Sequence, residues 1–481
     1  MNIVTRIMEE NAERLGSVSI VDGGITWTYE DLFENVREIR RELESKGIRP
    51  GQRVAFRCAD GTGYIVGSLA LLAAGAAVVP VSMELTDAER EETLERIDVH
   101  AYLFQKGADQ VGEGGQSIES SGLEKSFVLN RRPGAEPGPE EVSHLDMAFI
   151  RFSSGTTGMS KGVVLSHRSI LDRTDVANEA LRIRPDDRIL WVLLLSHHFV
   201  VSILLYLRKG ATIVMGHRNF PASVIEAVQS GDITFIYASP VHYELFARTD
   251  AVDPPMLDDV RIAISTAMKL PEHIASDFAD KFGIEPAEAY GIIEVGLPFI
   301  NTNPSPDNRG SVGQKLDAYE LRIEDRDENG VGELLVRGPG MFDAYYSPWR
   351  WRENVLEDGW FRTGDLGRMD EKGDLYIAGR SKTVIICGGM KVFPVEVEEV
   401  LDAHPAISES LVYGRDHATY GQIPVAKIVA EGADDDAGAL DRELREYCYD
   451  RLSAHKVPKE FQRVDELPRT TSGKLRRADG S

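Results

Sequence analysis

The sequence predicts a mixed α/β protein with a large N-terminal domain and a small C-terminal domain, and three observations support this. Short apolar strands alternate with amphipathic helices through residues 26–265, the pattern of sheets that helices cover on both faces. From Gly310 the chain changes to short strands separated by Gly and Asp turns. The segment after residue 380 again mixes strands with helices. We therefore expect two βα-layered subdomains and a small β-barrel-like subdomain, followed by a small α+β domain.

The first elements follow from local patterns. Alternation over residues 26–29 predicts a strand, and residues 30–46 have the periodicity of an amphipathic helix. Residues 53–56 and 77–81 are apolar and predict buried strands on either side of an Ala- and Leu-rich helix over residues 64–74. This order, strand, helix and strand, is the repeating unit of a parallel sheet.

The rest of the chain divides at one predicted boundary. Residues 106–141 are rich in Gly, Glu, Ser and Pro and are expected to form a surface excursion. Later strands are predicted over residues 148–152, 189–195, 212–215, 235–238, 261–265, 320–324, 332–336 and 374–377. We place the boundary after residue 379, which gives domains over residues 1–379 and 380–481.

Composition excludes several classes of function. The 481 residues carry 54 basic and 78 acidic side chains, a net charge of −24, which argues against nucleic acid as a partner. The three cysteines are too far apart for a disulfide framework or a zinc site and suit the cytoplasm. The N-terminus lacks the apolar core of a signal peptide. The apolar run 189–207 contains His197 and His198 at its centre, so it predicts a buried strand and helix, with no membrane span.

The most informative segment is the loop over residues 152–162, with the sequence Phe-Ser-Ser-Gly-Thr-Thr-Gly-Met-Ser-Lys-Gly. Glycines let a backbone approach a ligand closely, while hydroxyls, free N–H groups and a lysine donate to anionic oxygens. The loop therefore predicts a polyphosphate site. It is not a Walker A loop, because Gly162 follows Lys161 where that motif needs Ser or Thr.

Four more motifs follow the loop in order. They are Tyr-Gly-Ile-Ile-Glu at 290–294, Trp-Phe-Arg-Thr-Gly-Asp at 360–365, Gly-Arg-Ser-Lys at 379–382 with Gly388-Gly389, and Pro-Arg-Thr-Thr-Ser-Gly-Lys-Leu at 468–475. With the loop, this series resembles the adenylate-forming superfamily of acyl-CoA synthetases, peptide-synthetase adenylation domains and luciferases. The resemblance covers nearly the whole chain.

The resemblance implies a two-step reaction that uses ATP, Mg²⁺ and a thiol. A carboxylate attacks the α-phosphate of ATP, which gives acyl-AMP and pyrophosphate, and the thiol of CoA or of a carrier-protein phosphopantetheine then displaces AMP. The C-terminal domain is expected to act as a mobile lid that rotates between the steps about a hinge near residues 381–383, with Lys382 at its centre. A monomer or homodimer is expected.

The resemblance also assigns the ATP site. Glu294 would hold Mg²⁺, Tyr290 and Gly291 would lie near adenine, Asp365 would bind the ribose hydroxyls, and Arg380 would contact ribose or phosphate. The phosphates would be held by Ser153, Ser154, Gly155, Thr156, Thr157, Gly158 and Lys161. The motif over residues 290–294 departs from the family's Tyr-Gly-x-Thr-Glu pattern. Ile293 replaces the threonine that contacts the α-phosphate in the family.

The resemblance also indicates a catalytic lysine and a site for the thiol. Lys474 would be the catalytic lysine, neutralising the charge that develops between carboxylate and α-phosphate. Gly388-Gly389 resembles the CoA-ligase form of its motif, in which a close backbone approach leaves room for a pantetheine arm.

The acid pocket is predicted from a different set of residues. His197, which is also a candidate catalytic residue, lies in the segment that lines this pocket in the family. The remaining lining is expected from Tyr237, Thr266, Ala267, Val295 and Gly296. No Asp in the segment around His197 could pair with an ammonium group, so an acid without an α-amine is predicted. The β-branched Thr266 favours a short, branched or aromatic acid.

Three functions remain open at this point. The first is an AMP-forming acyl-CoA synthetase. The second is an acyl-AMP ligase that loads a discrete acyl carrier protein, although the acidic chain does not favour an acidic carrier. The third is a nucleotide-binding homologue of low activity, suggested by Ile293.

Overall fold

A computed structural model describes residues 1–110, 114–132, 145–152, 161–217, 219–417, 419–430, 437–469 and 475–476. The α-helices are α1 (Ile3–Glu10), α2 (Tyr29–Ser45), α3 (Thr62–Ala73), α4 (Asp87–Arg96), α5 (His167–Leu181), α6 (Leu195–His198), α7 (Leu204–Arg208), α8 (Ala222–Gln229), α9 (Pro240–Arg248), α10 (Glu272–Phe282), α11 (Pro394–Asp402) and α12 (Ala437–Tyr449). A π-helical turn, Phe199–Ile203, joins α6 to α7.

The first group of strands belongs to the N-terminal half. They are β1 (Val18–Asp22), β2 (Ile25–Thr28), β3 (Arg53–Arg57), β4 (Ala77–Pro80), β5 (Ala101–Gln105), β6 (Gln116–Ile118), β7 (Phe127–Arg131), β8 (Met147–Phe152), β9 (Gly162–Ser166), β10 (Arg188–Trp191), β11 (Thr212–Met215), β12 (Phe235–Ala238), β13 (Ile262–Ser265), β14 (Ala287–Ile292) and β15 (Gly296–Ile300).

The remaining strands lie further along the chain. They are β16 (Gln314–Lys315), β17 (Glu320–Glu324), β18 (Gly332–Arg337), β19 (Ala344–Tyr346), β20 (Arg350–Trp351), β21 (Phe361–Met369), β22 (Leu375–Arg380), β23 (Ile385–Cys387), β24 (Met390–Val392), β25 (Ile407–His417), β26 (Gly421–Ala430) and β27 (Glu460–Arg463).

Two large sheets dominate the described part of the chain. One has the order β16-β15-β14-β13-β12-β10-β11-β1-β2, and the other has the order β20-β19-β9-β8-β4-β3-β5-β7-β6. The consecutive strands β11, β10, β12, β13 and β14 are parallel, as are β5, β3, β4 and β8. β14 and β15 pair antiparallel, as do β5 and β7. The largest apolar core joins residues of both sheets and of α2, α3 and α5. The predicted α/β architecture is confirmed.

Local sequence explains where the helices begin. Thr28 caps α2 by accepting the N–H of Asp31, and the Asp31 carboxylate accepts the N–H of Thr28 in return, a reciprocal capping box. Thr86 and Glu89 form the same arrangement at the start of α4. These caps fix the helices that cover the sheets.

Two predictions about local structure need correction. The expected excursion over residues 106–141 contains β6 and β7, which pair with each other and extend the second large sheet beyond β5. The apolar stretches there are short and separated by Ser and Gly, which hid β7 and the edge strand β6. The predicted barrel-like unit is an antiparallel sheet with the order β17-β18-β21-β22.

The C-terminal segment builds its own core. Strands β24-β23-β26-β25, with β27 beside β26, pack against α11 and α12 around residues such as Val397 and Val425. The turn Ser381–Thr383 connects this sheet to β22. The division after residue 379 and the hinge at Lys382 stay predictions. Lys382 is exposed.

The apolar run near the middle of the chain folds as predicted. It forms β10 followed by α6, the π-helical turn and α7, all largely buried. Among the described residues, no helix combines the length and apolar character needed to cross a membrane.

Candidate active site

The site lies where several strands of the first large sheet end. β12, β13 and β14 are parallel neighbours, so the residues that follow their carboxyl ends lie at one edge of the sheet. These ends carry Tyr237, Thr266 and Tyr290. Crevices at the carboxyl ends of parallel strands are where α/β proteins bind ligands, and all three residues were predicted as site residues.

Asp365 is the best-defined polar group of the site. It is buried, with 4% of its surface exposed. The Tyr290 hydroxyl donates a hydrogen bond of 2.5 Å to Oδ2, and Arg380 Nε lies 2.9 Å from Oδ1. Burial raises the pKa of Tyr290 well above its usual value, so the phenol stays protonated and can donate. Three predicted residues from separate motifs therefore meet at one carboxylate.

Glu294 follows β14 and is half-buried. The Tyr345 hydroxyl donates to its carboxylate at 3.3 Å. Burial raises the pKa of Glu294, while hydrogen bonds and the charges of Arg380 and Arg151 lower it in part. A hard carboxylate with few protein partners suits Mg²⁺, which is held by one or two carboxylates together with phosphate oxygens. Among the described residues no cluster of three His, Cys, Asp or Glu side chains could hold a metal alone.

Lys161 stands at the end of the predicted phosphate loop. Its side chain is exposed, and its Nζ lies 4.8 Å from the centre of the Tyr345 ring, a cation–π distance. Tyr345 therefore contacts both Lys161 and Glu294. The other predicted loop residues, Ser153, Ser154, Gly155, Thr156, Thr157 and Gly158, lie outside the described residues, as does Lys474.

Aromatic side chains form the wall of the predicted acid pocket. Trp191 stacks on Tyr237 with ring centres 5.9 Å apart and planes 5° apart. His198 meets both rings edge-on, and the Tyr237 hydroxyl donates to Thr266 Oγ1 at 3.4 Å. Thr266 is buried. The sequence analysis did not single out Trp191 or His198, because the spacing of residues in β10 and α6 does not show which side chains contact Tyr237.

His197 lies on α6 beside this wall. It is half-buried, its Nδ1 lies 3.0 Å from Ser196 Oγ, and its backbone carbonyl accepts a hydrogen bond of 2.5 Å from Arg151. Its roles in catalysis and in the pocket stay predictions.

The remaining predicted pocket residues differ in their surroundings. Val295 is fully buried in the central core. A side chain on Gly291 would collide with the carbonyl of Gly296 at 2.6 Å, so the backbone turn after β14 requires a glycine there. Ala267 has a φ of +73° and Gly296 a φ of +105°, and both follow strand ends. Whether they contact the acid stays a prediction.

Gly388 and Gly389 form the turn of the hairpin between β23 and β24. Their φ values are +58° and +82°, as a tight hairpin with glycine at both central positions requires. Both are exposed, whereas Cys387 before them is buried. The hairpin therefore stands on the surface of the C-terminal segment.

Comparison with known proteins decides the family. The sequence model described as AMP-binding enzyme matches residues 8–346. The model described as AMP-binding enzyme C-terminal domain matches residues 396–474. The chain belongs to the AMP-binding enzyme family. This AMP-binding enzyme is an AMP-forming acid–thiol ligase, which uses ATP to activate a carboxylic acid.

Individual relatives match over most of this enzyme's length. It is 30% identical to the sulfoacetate–CoA ligase of Cupriavidus necator over 479 residues, 95% of this chain and 92% of that protein. It is 33% identical to the indoleacetate–CoA ligase of Aromatoleum aromaticum over 363 residues, 73% of this chain and 70% of that protein. The O-succinylbenzoate coenzyme A synthetase of Bacillus subtilis in complex with AMP has a TM-score of 0.83 at 25% identity and covers 98% of this enzyme and 97% of its own chain.

Proposed function

We propose that this enzyme activates a short, branched or aromatic carboxylic acid without an α-amine. The observation that carries the proposal is the wall formed by Trp191, Tyr237 and the buried Thr266. Flat aromatic rings suit an apolar or aromatic acid, and Thr266 fills the space that a long chain would need. A substrate ammonium would require a carboxylate partner on desolvation, and residues 191–200 contain none.

The first step would use three groups of the enzyme. Asp365 would exchange its contacts with Tyr290 and Arg380 for the ribose hydroxyls, which suit a carboxylate with two acceptor oxygens. Arg380 would then be free for ribose or phosphate, and Lys161 would hold the departing pyrophosphate. Lys474 would neutralise charge between carboxylate and α-phosphate. Mg²⁺, held by Glu294, would neutralise phosphate charge when bound.

Transfer to CoA would use the hairpin of Gly388 and Gly389. Its neighbours Ile386, Met390 and Tyr420 are apolar and 44%, 47% and 50% exposed. An apolar cluster around a surface turn is suited to docking elsewhere in the molecule. Rotation of the C-terminal domain would place this hairpin over the acyl-AMP, where the glycines leave room for the pantetheine arm. The three cysteines are free and buried, which together with the need for ATP supports a location in the reducing cytoplasm.

Pyrophosphate release over a panel of acids tests this proposal. Phenylacetate, benzoate, isobutyrate and butyrate should support release, whereas palmitate and phenylalanine should not. CoA should convert the acyl-AMP to a thioester and accelerate turnover. A preference for palmitate or for amino acids would contradict the proposed acid, and transfer to a phosphopantetheinylated carrier protein with none to CoA would contradict the proposed acceptor.

A further inference from the structure

Arg151 is a charged residue at the active site that none of the motifs contains. It lies on β8, opposite Val163 of β9 and one residue before the end of the strand. Side chains two apart on a strand share a face, and Phe149 is part of the central core. The Arg151 side chain therefore faces the space between the two large sheets. In the sequence, Arg151 stands directly before the predicted phosphate loop.

The guanidinium has few partners there. Nη1 donates to the His197 carbonyl at 2.5 Å. In the part of the chain that the structure describes, no carboxylate lies within 4.0 Å of the guanidinium. Tyr64 and Glu294 are the groups whose charges act on it, and burial lowers its pKa to about 10. Arg151 therefore keeps its positive charge at neutral pH.

Each of four other buried arginines makes at least three polar contacts among the described residues, although the Nε atoms of Arg57 and Arg208 have no partner there. Three of them pair with carboxylates, namely Arg53 with Asp98 at 3.2 Å, Arg57 with Asp109 at 3.4 Å and Arg208 with Glu10 at 2.8 Å. Arg173 uses all three nitrogens on the carbonyls of Gly340 and Ile293. Arg151 makes one hydrogen bond to the described residues, which is a costly state for a half-buried guanidinium. It therefore differs from these arginines in having more donors available for a ligand.

Arg151 lies close enough to Glu294 for the charge of the carboxylate to act on it, and this position indicates what the ligand is. If Glu294 binds a metal ion, that ion neutralises the charge of the Glu294 carboxylate. The nearest negative charge that Arg151 could then bind belongs to the reacting groups. Both reacting groups, the acid carboxylate and the ATP α-phosphate, present oxyanions. Ile293 removes a hydroxyl donor at this point of the motif, so a fixed guanidinium would supply what the motif lacks.

We infer that Arg151 binds a substrate oxyanion at the reacting centre and compensates for Ile293. The inference rests on the proposed function, because the oxyanion belongs to its substrates. Arg151 stands on a strand, so it would stay in place in both half-reactions, unlike the lysine at 474.

Three variants separate charge from structure. Arg151→Gln keeps a donor for the His197 carbonyl but removes the charge, and Arg151→Lys keeps the charge. We expect the Gln variant to lose about 10- to 100-fold in kcat/KM for acyl-AMP formation and the Lys variant to retain most activity. Arg168→Gln removes a charge from an arginine whose side chain is 82% exposed and should match wild type. If Arg151→Gln does not fold by circular dichroism, Arg151→Met replaces it as the neutral variant.

Calorimetric binding identifies the oxyanion. Weaker binding of the acid by the neutral variant, with ATP binding unchanged, assigns Arg151 to the carboxylate, and the reverse result assigns it to the α-phosphate. Wild-type affinities and rates in the neutral variant would overturn the inference, as would equal losses in the Lys and neutral variants. If the wild type releases no pyrophosphate with any acid, the proposed function is contradicted. If the wild type is active and the neutral Arg151 variant is equally active, only this inference is contradicted.

Discussion

Tyr290 and Asp365, which are distant in sequence, meet through a hydrogen bond of 2.5 Å, and Arg380 contacts the other oxygen of the same carboxylate at 2.9 Å. The contact joins β14 of a large sheet to β21 and β22 of the small antiparallel sheet. Both oxygens of the Asp365 carboxylate are therefore engaged by side chains from two other strands.

Asp365→Asn should weaken ATP binding more than any change to its partners. The amide keeps one acceptor oxygen but loses the charge and the second acceptor, and charge-assisted hydrogen bonds contribute about 1.5–3 kcal/mol each. We expect KM for ATP to rise at least about tenfold. Tyr290→Phe removes one hydrogen-bond donor to Asp365 and should raise KM for ATP by less. Steady-state kinetics with ATP varied measures both, and equal effects would contradict the ribose role of Asp365.

Ile293→Thr restores the hydroxyl that the motif usually carries. Because Arg151 is inferred to supply the missing donor, the variant should form acyl-AMP at close to the wild-type rate. A gain of about one or two orders of magnitude would mean that the α-phosphate lacks a donor and would contradict compensation by Arg151. Single-turnover pyrophosphate release measures this rate, and Ile293→Val is the matched control because it keeps the β-branched shape without the hydroxyl. An unchanged rate in the Thr variant would show that another group already compensates.

Glu288 should make the stability of the enzyme depend on pH. It is buried with 7% of its surface exposed, it accepts the N–H of Leu270 at 2.9 Å, and burial raises its pKa to about 7. A raised pKa in the folded state means that the contribution to stability is complete below the unfolded pKa near 4.5 and is lost as pH rises through about 7. Glu288→Gln keeps the acceptor without the titration.

Thermal unfolding at pH 5 and pH 8 tests the role of Glu288. The wild type should lose about 1–3 kcal/mol more stability than Glu288→Gln over this interval. The control is Glu272→Gln, an acidic residue at the exposed start of α10. The same pH dependence in wild type and Glu288→Gln would contradict the assignment.

Lys474→Ala separates the two half-reactions. The lysine is expected to act only while the acyl-AMP forms, so the variant should lose pyrophosphate release yet still convert supplied acyl-AMP and CoA to the thioester. Rapid-quench assays of each half-reaction measure this, with Lys459→Ala, from the loop before β27, as a control. An equal loss of rate in both half-reactions would contradict the role proposed for Lys474.

Ordered motifs made the reaction class and the α/β architecture predictable from the sequence. The meeting of Tyr290, Asp365 and Arg380 was expected from such motifs, because the resemblance assigns all three residues to one nucleotide site. Arg151, Trp191 and His198 were not predictable in the same way. Their contacts depend on which side chains of β8, β10 and α6 face the space between the two large sheets. Packing between the sheets decides this, and the sequence does not show it. β6 and β7 were missed because their apolar stretches are short and the segment around them is rich in Gly, Ser and Glu.

Transfer of oxygen from the acid to AMP tests the central claim most directly. The acid would be supplied with both carboxylate oxygens labelled with ¹⁸O, together with Mg-ATP and CoA, and the products analysed by mass spectrometry. Attack of the carboxylate on the α-phosphate forms a P–O bond, and attack of the thiol then breaks the acyl C–O bond, so one labelled oxygen should remain on AMP. Unlabelled AMP, or label in orthophosphate or pyrophosphate, would contradict an acyl-AMP intermediate.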